Sequence, residues 1–364
     1  MSSRSPKYMQ LKEQILSWIA GGRFRPGDKL PSENELAEQF SLSRQTVRQS
    51  IGELVQDGWL AREQGKGTFV TRLSADRRVT GGTRTVGLIT TYISDYIFPS
   101  IVRGVEAALK DRGYRLLLSS TDNRKDRERE SIEMMLGQAV SGLIVEPTKS
   151  AEGNPNFDSY MALENHGIPL VMINERYSDI ECPCVKMDDE GAGHTAANHL
   201  LALGHRRIAG FFKTDDLQGV NRMKGFVRAH REQRLTVEAE LLVRYTTEDK
   251  ENRPAEALKQ MLNSPERPTA IVCYNDQLAV ALMDVIRETG LRVPEDLSMV
   301  GCDDSFLATA TEIKLTTIEH PQTAMGEQAA NLLMSILEKE GRPGNQGAVY
   351  PPKLIIRQST TSNE

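Results

Sequence analysis

The sequence predicts an α/β protein in two parts: a small helical head with a β-hairpin, and a larger domain of two lobes with parallel sheets. Three observations carry this prediction. The chain has 364 residues, which is long for one domain and suits two. The first seventy residues show helical periodicity with capping signals. From Thr85 onwards, short apolar runs alternate with helical patterns, as in parallel sheets covered by helices on both faces.

Composition and charge are typical of a globular protein that binds an anionic partner through its head. No segment approaches the ~20 apolar residues of a membrane span, and no secretory signal is visible. The four cysteines are too few for a disulfide framework, so we expect a cytoplasmic protein. Residues 1–84 carry 14 Lys or Arg and 9 Asp or Glu, whereas the rest carries 31 and 41. A basic head on an acidic body suggests that the head faces phosphates.

Three helices are predicted in the head. The first covers residues 6–20, where apolar side chains recur at helical spacing. Ser32 and Glu35 form a capping box that starts the second helix. Ser43 is placed to cap the third. The buried face of the third helix is then formed by Val47, Ile51, Leu54 and Val55.

The opposite face of the third helix is suited to DNA. It carries Arg44, Gln45 and Arg48 in its first two turns, where a recognition helix meets base edges in the major groove. Arg and Gln make bidentate contacts with guanine and adenine. Two short strands then flank a glycine-rich tip at residues 64–67, where Lys66 can approach a phosphate or enter the minor groove. The alternative is a solvated charged face on a small helical domain.

Helix, helix, helix and hairpin make a winged helix-turn-helix, and the motifs resemble the gluconate-repressor (GntR) family. The motifs are Leu30-Pro-Ser-Glu-Asn-Glu-Leu-Ala37, Ser43-Arg-Gln-Thr-Val-Arg48 and Gln64-Gly-Lys-Gly-Thr-Phe-Val70. The resemblance implies that residues 1–70 bind double-stranded DNA. It implies DNA contacts from Asn34, Arg44, Gln45, Thr46, Arg48, Gln64, Gly65 and Lys66.

The rest of the chain divides into a linker and a large domain. Residues 71–84 are polar and lack periodicity, which predicts a hinge. Residues 85–364 are predicted to form the two lobes. Strand-like runs are Val86–Ile89, Leu116–Leu118, Leu143–Val145, Leu170–Ile173, Ile208–Phe212, Ala270–Tyr274 and Met299–Cys302. Helical patterns include Ile101–Leu109, Ala196–Leu203, Leu278–Ile286 and Met325–Leu337.

Polar side chains follow many of these strands, at the strand ends where ligands of open parallel sheets bind. Amides, carboxylates and arginine supply the donors and acceptors that sugar hydroxyls need, and aromatic faces cover the C–H side of a sugar ring. The sequence therefore predicts a cleft for a polyhydroxyl ligand. The segments concerned are residues 90–98, 146–149, 174–176, 213–215, 275–276 and 303–304.

This half resembles the lactose/galactose-repressor family, which shares its fold with periplasmic sugar-binding proteins. The motifs are Gly142-Leu-Ile-Val-Glu146, Leu203-Gly-His-Arg-Arg-Ile208, Arg222-Met-Lys-Gly-Phe226, Tyr274-Asn-Asp-Gln-Leu-Ala279, Val293-Pro-Glu-Asp-Leu-Ser-Met-Val-Gly301 and Leu315-Thr-Thr-Ile318. The resemblance implies dimer contact through the lobe that holds residues 85–187, with the helical patterns Ile101–Leu109 and Met325–Leu337 nearby. It implies effector contacts from Tyr96, Phe98, Glu146, Asn174, Arg222, Asn275, Asp303 and His320.

A winged head on such a body resembles the L-arabinose-responsive repressors of Gram-positive bacteria, over nearly the full chain. The segments that carry this likeness are residues 88–100, 144–150 and 354–359. The resemblance implies a homodimeric, cytoplasmic repressor that leaves operator DNA when it binds L-arabinose and that uses no cofactor. The same architecture responding to another small sugar is the first alternative. A sugar-transport binding protein or a sugar-processing enzyme are the others, although neither needs a winged head.

Two other kinds of site are disfavoured. Gly191-Ala-Gly-His-Thr-Ala196 matches a dinucleotide-binding fingerprint, but Gly210 and two phenylalanines stand where a ribose-binding acid is expected, so helix-sheet packing explains the small residues. His194 and His199 lie off one helical face and lack cysteines at zinc spacing, so we expect no metal site.

Paired acids are read as structural or ligand-binding groups rather than as acid–base catalysts. Asp188-Asp189 is interpreted as part of a solvated loop, and Asp303-Asp304 as a site of hydroxyl recognition. No glycine-rich phosphate loop with a Lys-Ser/Thr ending is present in the sequence, which argues against a sugar kinase.

Overall fold

A computed structural model of the chain describes residues 7–20, 23–24, 27–56, 59–63, 66–71, 84–338 and 347–363. The chain divides into two compact units, Met1–Gly82 and Thr83–Glu364. Residues 72–83, which hold most of the predicted linker, lie outside the described residues. None of the described helices is both long and apolar enough to cross a bilayer.

The first unit contains three helices and a hairpin. Ser32 starts the second helix as predicted, since its hydroxyl accepts from the backbone N–H of Glu35 while the Glu35 carboxylate accepts from the N–H of Ser32. Leu11, Ile51 and other apolar side chains from every element form one buried core. The elements are α1 (Lys7–Ala20), α2 (Glu33–Gln39), α3 (Arg44–Gln56) and the antiparallel strands β1 (Leu60–Glu63) and β2 (Gly67–Val70).

The second unit has two six-stranded sheets, one for each lobe. The first sheet is parallel, in the order β13-β7-β6-β5-β3-β4. Its strands are β3 (Thr85–Thr90), β4 (Arg115–Ser120), β5 (Gly142–Val145), β6 (Leu170–Ile173), β7 (Cys184–Met187) and β13 (Ala348–Tyr350). The second sheet has the order β14-β12-β11-β10-β8-β9, with only β14 antiparallel. Its strands are β8 (Ile208–Lys213), β9 (Leu242–Tyr245), β10 (Ala270–Cys273), β11 (Ser298–Asp303), β12 (Thr316–Glu319) and β14 (Leu354–Ile355).

Helices cover both sheets, and the predicted α/β fold class with parallel sheets is confirmed. The chain passes between the lobes at residues 187–189, 319–322 and 350–354. The helices are α4 (Phe98–Lys110), α5 (Lys125–Gly137), α6 (Phe157–Asn165), α7 (Asp189–Ala202), α8 (Leu217–Glu232), α9 (Arg253–Leu262), α10 (Asp276–Glu288), α11 (Leu307–Ala310) and α12 (Gln322–Glu338).

Glycines set two close helix contacts. In α4, a Cβ on Gly104 would lie 2.2 Å from the carbonyl oxygen of Thr323 in α12, so these two helices pack backbone against backbone. In α7, a Cβ on Gly193 would lie 1.9 Å from the carbonyl oxygen of Arg222 in α8. Packing between two helices, rather than the helix-sheet packing that we predicted, therefore explains Gly193.

Candidate functional site

A cavity of about 340 Å³ lies between the two lobes. Its size and its mixture of aromatic and polar walls suit a small polar ligand. Seven of the eight predicted effector positions line it: Tyr96, Phe98, Glu146, Asn174, Arg222, Asn275 and His320. The eighth, Asp303, is buried beside the cavity and contacts two of these residues.

The wall of the first lobe is organised around a buried carboxylate, that of Glu146 directly after β5. The backbone N–H and hydroxyl of Thr91 donate to its Oε2 at 2.9 and 2.7 Å. The side-chain amide of Asn174 donates to its Oε1 at 2.7 Å. Burial raises the pKa of Glu146 although these hydrogen bonds favour the charged form. Each carboxylate oxygen has further lone pairs, so Glu146 can still accept from a ligand hydroxyl.

The same chain of hydrogen bonds fixes the tautomer of His320. Asn174 turns its amide nitrogen to Glu146, so its Oδ1 faces His320 Nε2 at 3.1 Å and accepts from it. Burial lowers the pKa of His320 to about 4, so the ring is neutral. Its Nδ1 is then an acceptor, and it is buried with no hydrogen-bond partner among the described residues. An unpartnered acceptor on a cavity wall can take a hydroxyl hydrogen from a ligand.

Arg222 faces the cavity from α8 but is held mainly by protein groups. Its Nε donates to Asp189 at 2.8 Å, one terminal nitrogen donates to the carbonyl of Tyr274 at 2.6 Å, and the other donates to Asp303 at 3.2 Å. The guanidinium also lies over the ring of Tyr274, at 5.1 Å from its centroid. These bonds use three of the five N–H groups, so two remain that no described residue accepts and that a ligand can meet.

Asp189 corrects one interpretation of the sequence. We expected Asp188 and Asp189 to form a solvated loop. Asp188 is exposed and caps α7, but Asp189 is 4% exposed and pairs with Arg222. Burial raises the pKa of Asp189 to about 6, against the attraction of Arg222. Asp189 therefore belongs to the support of the cavity.

Tyr96 lines the cavity and also joins the two lobes through its hydroxyl. From the loop before α4 in the first lobe, its hydroxyl donates to Asp303 at 2.8 Å and accepts from the backbone N–H of Asp276 at 3.1 Å. Asp303 has a φ of 103°, a strained backbone for a non-glycine residue. Because its carboxylate bonds Tyr96 and Arg222, Asp303 acts through them rather than by lining the cavity.

Asn275 is oriented by its helix. It is the N-cap of α10, and its Oδ1 accepts from the backbone N–H of Leu278 at 2.9 Å. The cap uses the oxygen and leaves the amide nitrogen as the group that a ligand can meet. Local sequence rules thus explain both where this side chain lies and which atom it offers.

Residues that were not among the eight predicted effector contacts complete the cavity. Tyr92 meets Phe98 edge to face at 5.7 Å and extends the apolar wall. Lys213, Asp216 and Tyr274 form a charged cluster in the second lobe. Lys213 ends β8, Asp216 follows that strand, and Tyr274 follows β10. These strand ends were the available signal, since they predict binding residues without saying which of them face the ligand.

The recognition face of the head is exposed. Arg44, Gln45 and Arg48 on α3 are all exposed, and Arg48 donates to Glu33 at 3.1 Å. Glu33 also accepts from Arg62 of β1 at 2.9 Å, which ties α2, α3 and the wing together. Arginine on an exposed helix start is placed to read base edges.

The other predicted DNA contacts vary in how far the structure describes them. Asn34 is exposed on α2, and Thr46 is partly buried with its hydroxyl 2.8 Å from that of Ser43. Lys66 at the wing tip is exposed and pairs with Glu63 at 3.1 Å. The remaining two, Gln64 and Gly65, lie outside the described residues.

The histidines set aside as metal ligands have other partners. His194 lies 2.7 Å from a carboxylate oxygen of Glu232, and His199 lies 3.1 Å from the hydroxyl of Thr360. Within the described part of the chain, no cluster of three His, Cys, Asp or Glu side chains could hold a metal ion.

A winged DNA-binding head on a two-lobed domain with a polar cavity defines a ligand-controlled transcription regulator. Family models agree with both parts. Residues 7–70 match the bacterial regulatory proteins of the gntR family, and residues 197–360 match the periplasmic binding protein-like domain.

Full-length relatives and solved structures narrow the class. The chain is 56% identical to an arabinose metabolism transcriptional repressor of Geobacillus stearothermophilus, over 98% of both chains. It is 48% identical to an arabinose metabolism transcriptional repressor of Halalkalibacterium halodurans, over 97% of this chain and 96% of that one. A LacI-type regulator of Alkaliphilus metalliredigens, solved with D-xylulofuranose, superposes with a TM-score of 0.66 at 25% identity over 77% of this chain and 100% of that one. The regulator CcpA of Lactococcus lactis superposes with a TM-score of 0.66 at 26% identity, over 76% of this chain and 98% of that one.

The chain belongs to the family of arabinose metabolism transcriptional repressors. It is a sugar-responsive repressor of transcription and not an enzyme.

Proposed function

We propose that the chain represses arabinose-utilisation genes as a cytoplasmic homodimer and leaves its operator when L-arabinose fills the cavity between the lobes. The observation that carries this proposal is the cavity itself, which combines acceptors from the first lobe with donors from the second. The names of the two full-length relatives support arabinose as the sugar.

Each lobe contributes a distinct chemistry to the bound sugar. Glu146 and His320 Nδ1 accept hydroxyl hydrogens, whereas Arg222 and the amide of Asn275 donate to hydroxyl oxygens. Tyr92, Tyr96 and Phe98 add aromatic surface for the C–H face of the ring. Asp303 serves by holding Arg222 and Tyr96.

A sugar bonded to both walls favours the closed arrangement of the lobes, and it shifts the equilibrium only by its differential affinity for that arrangement. We propose that residues 71–84 form the linker through which this change reaches residues 1–70, with residues 85–364 as the effector and dimerisation domain. In the head, Asn34, Arg44, Gln45, Thr46, Arg48, Gln64, Gly65 and Lys66 contact the operator. A homodimer brings two heads to one palindromic site and gives the selectivity that one head lacks.

A release titration tests the proposal. Operator DNA is first selected from a random pool with the full-length protein, and binding is then measured by fluorescence anisotropy with L-arabinose, D-xylose, D-ribose or D-galactose. We expect L-arabinose to weaken binding about 5- to 150-fold, the range typical of allosteric coupling. Release by another sugar and not by L-arabinose contradicts the proposal that L-arabinose is the effector. Sedimentation of the protein as a monomer bound to a single half-site contradicts the proposed homodimer.

A further inference from the structure

A largely buried lysine, which is not among the eight predicted effector contacts, lines the cavity. Lys213 ends β8, and its side chain is 14% exposed. Its Nζ lies 2.9 Å from Asp216 Oδ2 and 3.1 Å from Asp215 Oδ1. An ammonium group has three N–H donors. Among the described residues only Asp216 accepts one of them in hydrogen-bond geometry, because the contact with Asp215 is an ion pair that leaves Asp215 Oδ1 without a hydrogen-bond partner. Lys213 therefore keeps N–H donors that no described protein group accepts.

The two carboxylates hold this ammonium in place. Asp215 accepts the backbone N–H of Thr247 at 2.9 Å and also its hydroxyl. Asp216 caps α8 by accepting from Gly219 at 2.7 Å, and it accepts the hydroxyl of Tyr274 at 2.8 Å. Burial opposes the charged form of Lys213, but the two carboxylates outweigh it and raise its pKa, so the group stays an ammonium. A fixed donor on a cavity wall loses little entropy when it binds a ligand.

The charges around the cavity limit the class of ligand. Arg222 is paired with Asp189 and Asp303, just as Lys213 is paired with Asp215 and Asp216. Lys250, which also lines the cavity, is balanced by Glu251, 3.9 Å away. Glu146 then adds a buried carboxylate for which the described part of the chain supplies no cationic partner. The wall offers many donors but no net positive charge, so an anionic ligand would meet repulsion.

We propose that Lys213 is an effector-binding residue that donates to one hydroxyl oxygen of the sugar, in a site that accepts neutral sugars and rejects their phosphorylated and acidic derivatives. This rests on the proposed function, and it adds a contact and a selectivity to it. The repressor then responds to the free sugar and not to the product of any phosphoryl-transfer step that consumes that sugar.

Calorimetry on the full-length protein tests the contact. The probes are L-arabinose, its monodeoxy analogues and L-arabinose 5-phosphate. For wild-type protein we expect each deoxy sugar to bind more weakly than L-arabinose, and the phosphate to bind at least 100-fold more weakly. For Lys213→Met we expect L-arabinose to bind about 10-fold more weakly or worse. One deoxy analogue should show no further loss, because the hydroxyl it lacks is the one that Lys213 contacts.

The outcomes separate this proposal from the previous one. If wild-type protein binds no neutral sugar, the proposed function fails. If wild-type protein and Lys213→Met bind L-arabinose equally well, Lys213 makes no direct contact. The same conclusion follows if Lys213→Met loses affinity by the same factor for L-arabinose and for every deoxy analogue. Binding of the phosphate as tightly as the free sugar overturns the selectivity. Should Lys213→Met not fold, Lys213→Met with Asp215→Asn restores the charge balance, and the same comparison is made in that background.

Discussion

The Nε2 atom of His320 lies 3.1 Å from Oδ1 of Asn174, and this contact decides what the histidine offers to a ligand. Asn174 gives its amide hydrogens to Glu146, so the histidine must be the donor in the contact. Its Nδ1 is left as a buried acceptor. A residue at a crossover between the lobes is thereby placed to accept a hydrogen from a ligand hydroxyl.

His320→Phe should weaken L-arabinose binding about 5- to 100-fold, since it removes the acceptor and leaves a ligand hydroxyl without a partner. The pKa of His320 is lowered to about 4, so the ring is neutral at pH 6 as well as at pH 8. The ratio of wild-type to variant affinity should therefore be constant from pH 8 to pH 6 and fall only as the pH approaches 4. Calorimetry at each pH gives the ratio. A tenfold change centred near pH 6.5 would show that the histidine binds in its charged form.

Arg222→Ala should destabilise the effector domain by about 3–5 kcal/mol, because it leaves Asp189 and Asp303 buried without their cation. The loss of unfolding free energy should be larger at pH 8 than at pH 5. Burial already raises the pKa of Asp189 to about 6, so below that pH the carboxyl takes a proton and no longer needs the arginine. Urea denaturation followed by circular dichroism measures both effects.

The matched control is Arg228→Ala. Arg228 lies on α8 like Arg222, but it is exposed and forms ion pairs with Glu190 and Glu232. Its cost should stay within about 0.5 kcal/mol. Equal costs for the two variants would mean that the buried pairs of Arg222 contribute no more than surface pairs do.

The resemblance to the lactose/galactose-repressor family implied Arg222 and Asp303 as effector contacts, but nothing in the sequence pointed to Asp189 as a partner of Arg222. Arg222 belongs to a motif of that family, whereas its partners Asp189 and Asp303 lie 33 and 81 residues away along the chain. Local patterns state which residues are polar, but the tertiary fold decides which of them meet. Lys213 lay in one of the predicted strand-end segments, residues 213–215, but only the fold shows that its side chain lines the cavity.

The fold itself followed more readily from local rules. The capping box at Ser32 and the strand Leu170–Ile173 are found at the predicted residues because short-range chemistry determines both. The strands β7, β9, β12, β13 and β14 were not among the predicted strand runs. None of them contains four consecutive apolar residues, so the pattern on which the prediction depends is weak or missing.

Asn123→Ala should speed dissociation of the sugar. Asn123 follows β4 in the first lobe, and its amide donates to the hydroxyl of Thr247, after β9 in the second lobe, at 2.6 Å. These strands are the sheet edges farthest from the lobe crossovers, so the bond closes the mouth of the cleft. Its loss disfavours the closed arrangement by about 1 kcal/mol and should raise the dissociation rate about fivefold, measured by stopped-flow fluorescence. The sugar should dissociate from Thr247→Ser, which keeps the hydroxyl, at the wild-type rate. If both variants release the sugar at the same rate, the hydrogen bond between Asn123 and Thr247 does not slow dissociation.

Arg44→Ala should weaken binding to the selected operator by about 1–3 kcal/mol and binding to random DNA much less. Arg44 is exposed at the start of α3, where its guanidinium is available for a guanine edge. Arg287→Ala is the control, since it removes an equally charged and 81% exposed arginine from the effector domain, and it should change neither affinity. Anisotropy titrations with both DNAs at one fixed salt concentration make the comparison, because phosphate contacts alone depend steeply on salt. Equal losses on operator and random DNA would show that Arg44 contacts the phosphate backbone and reads no base.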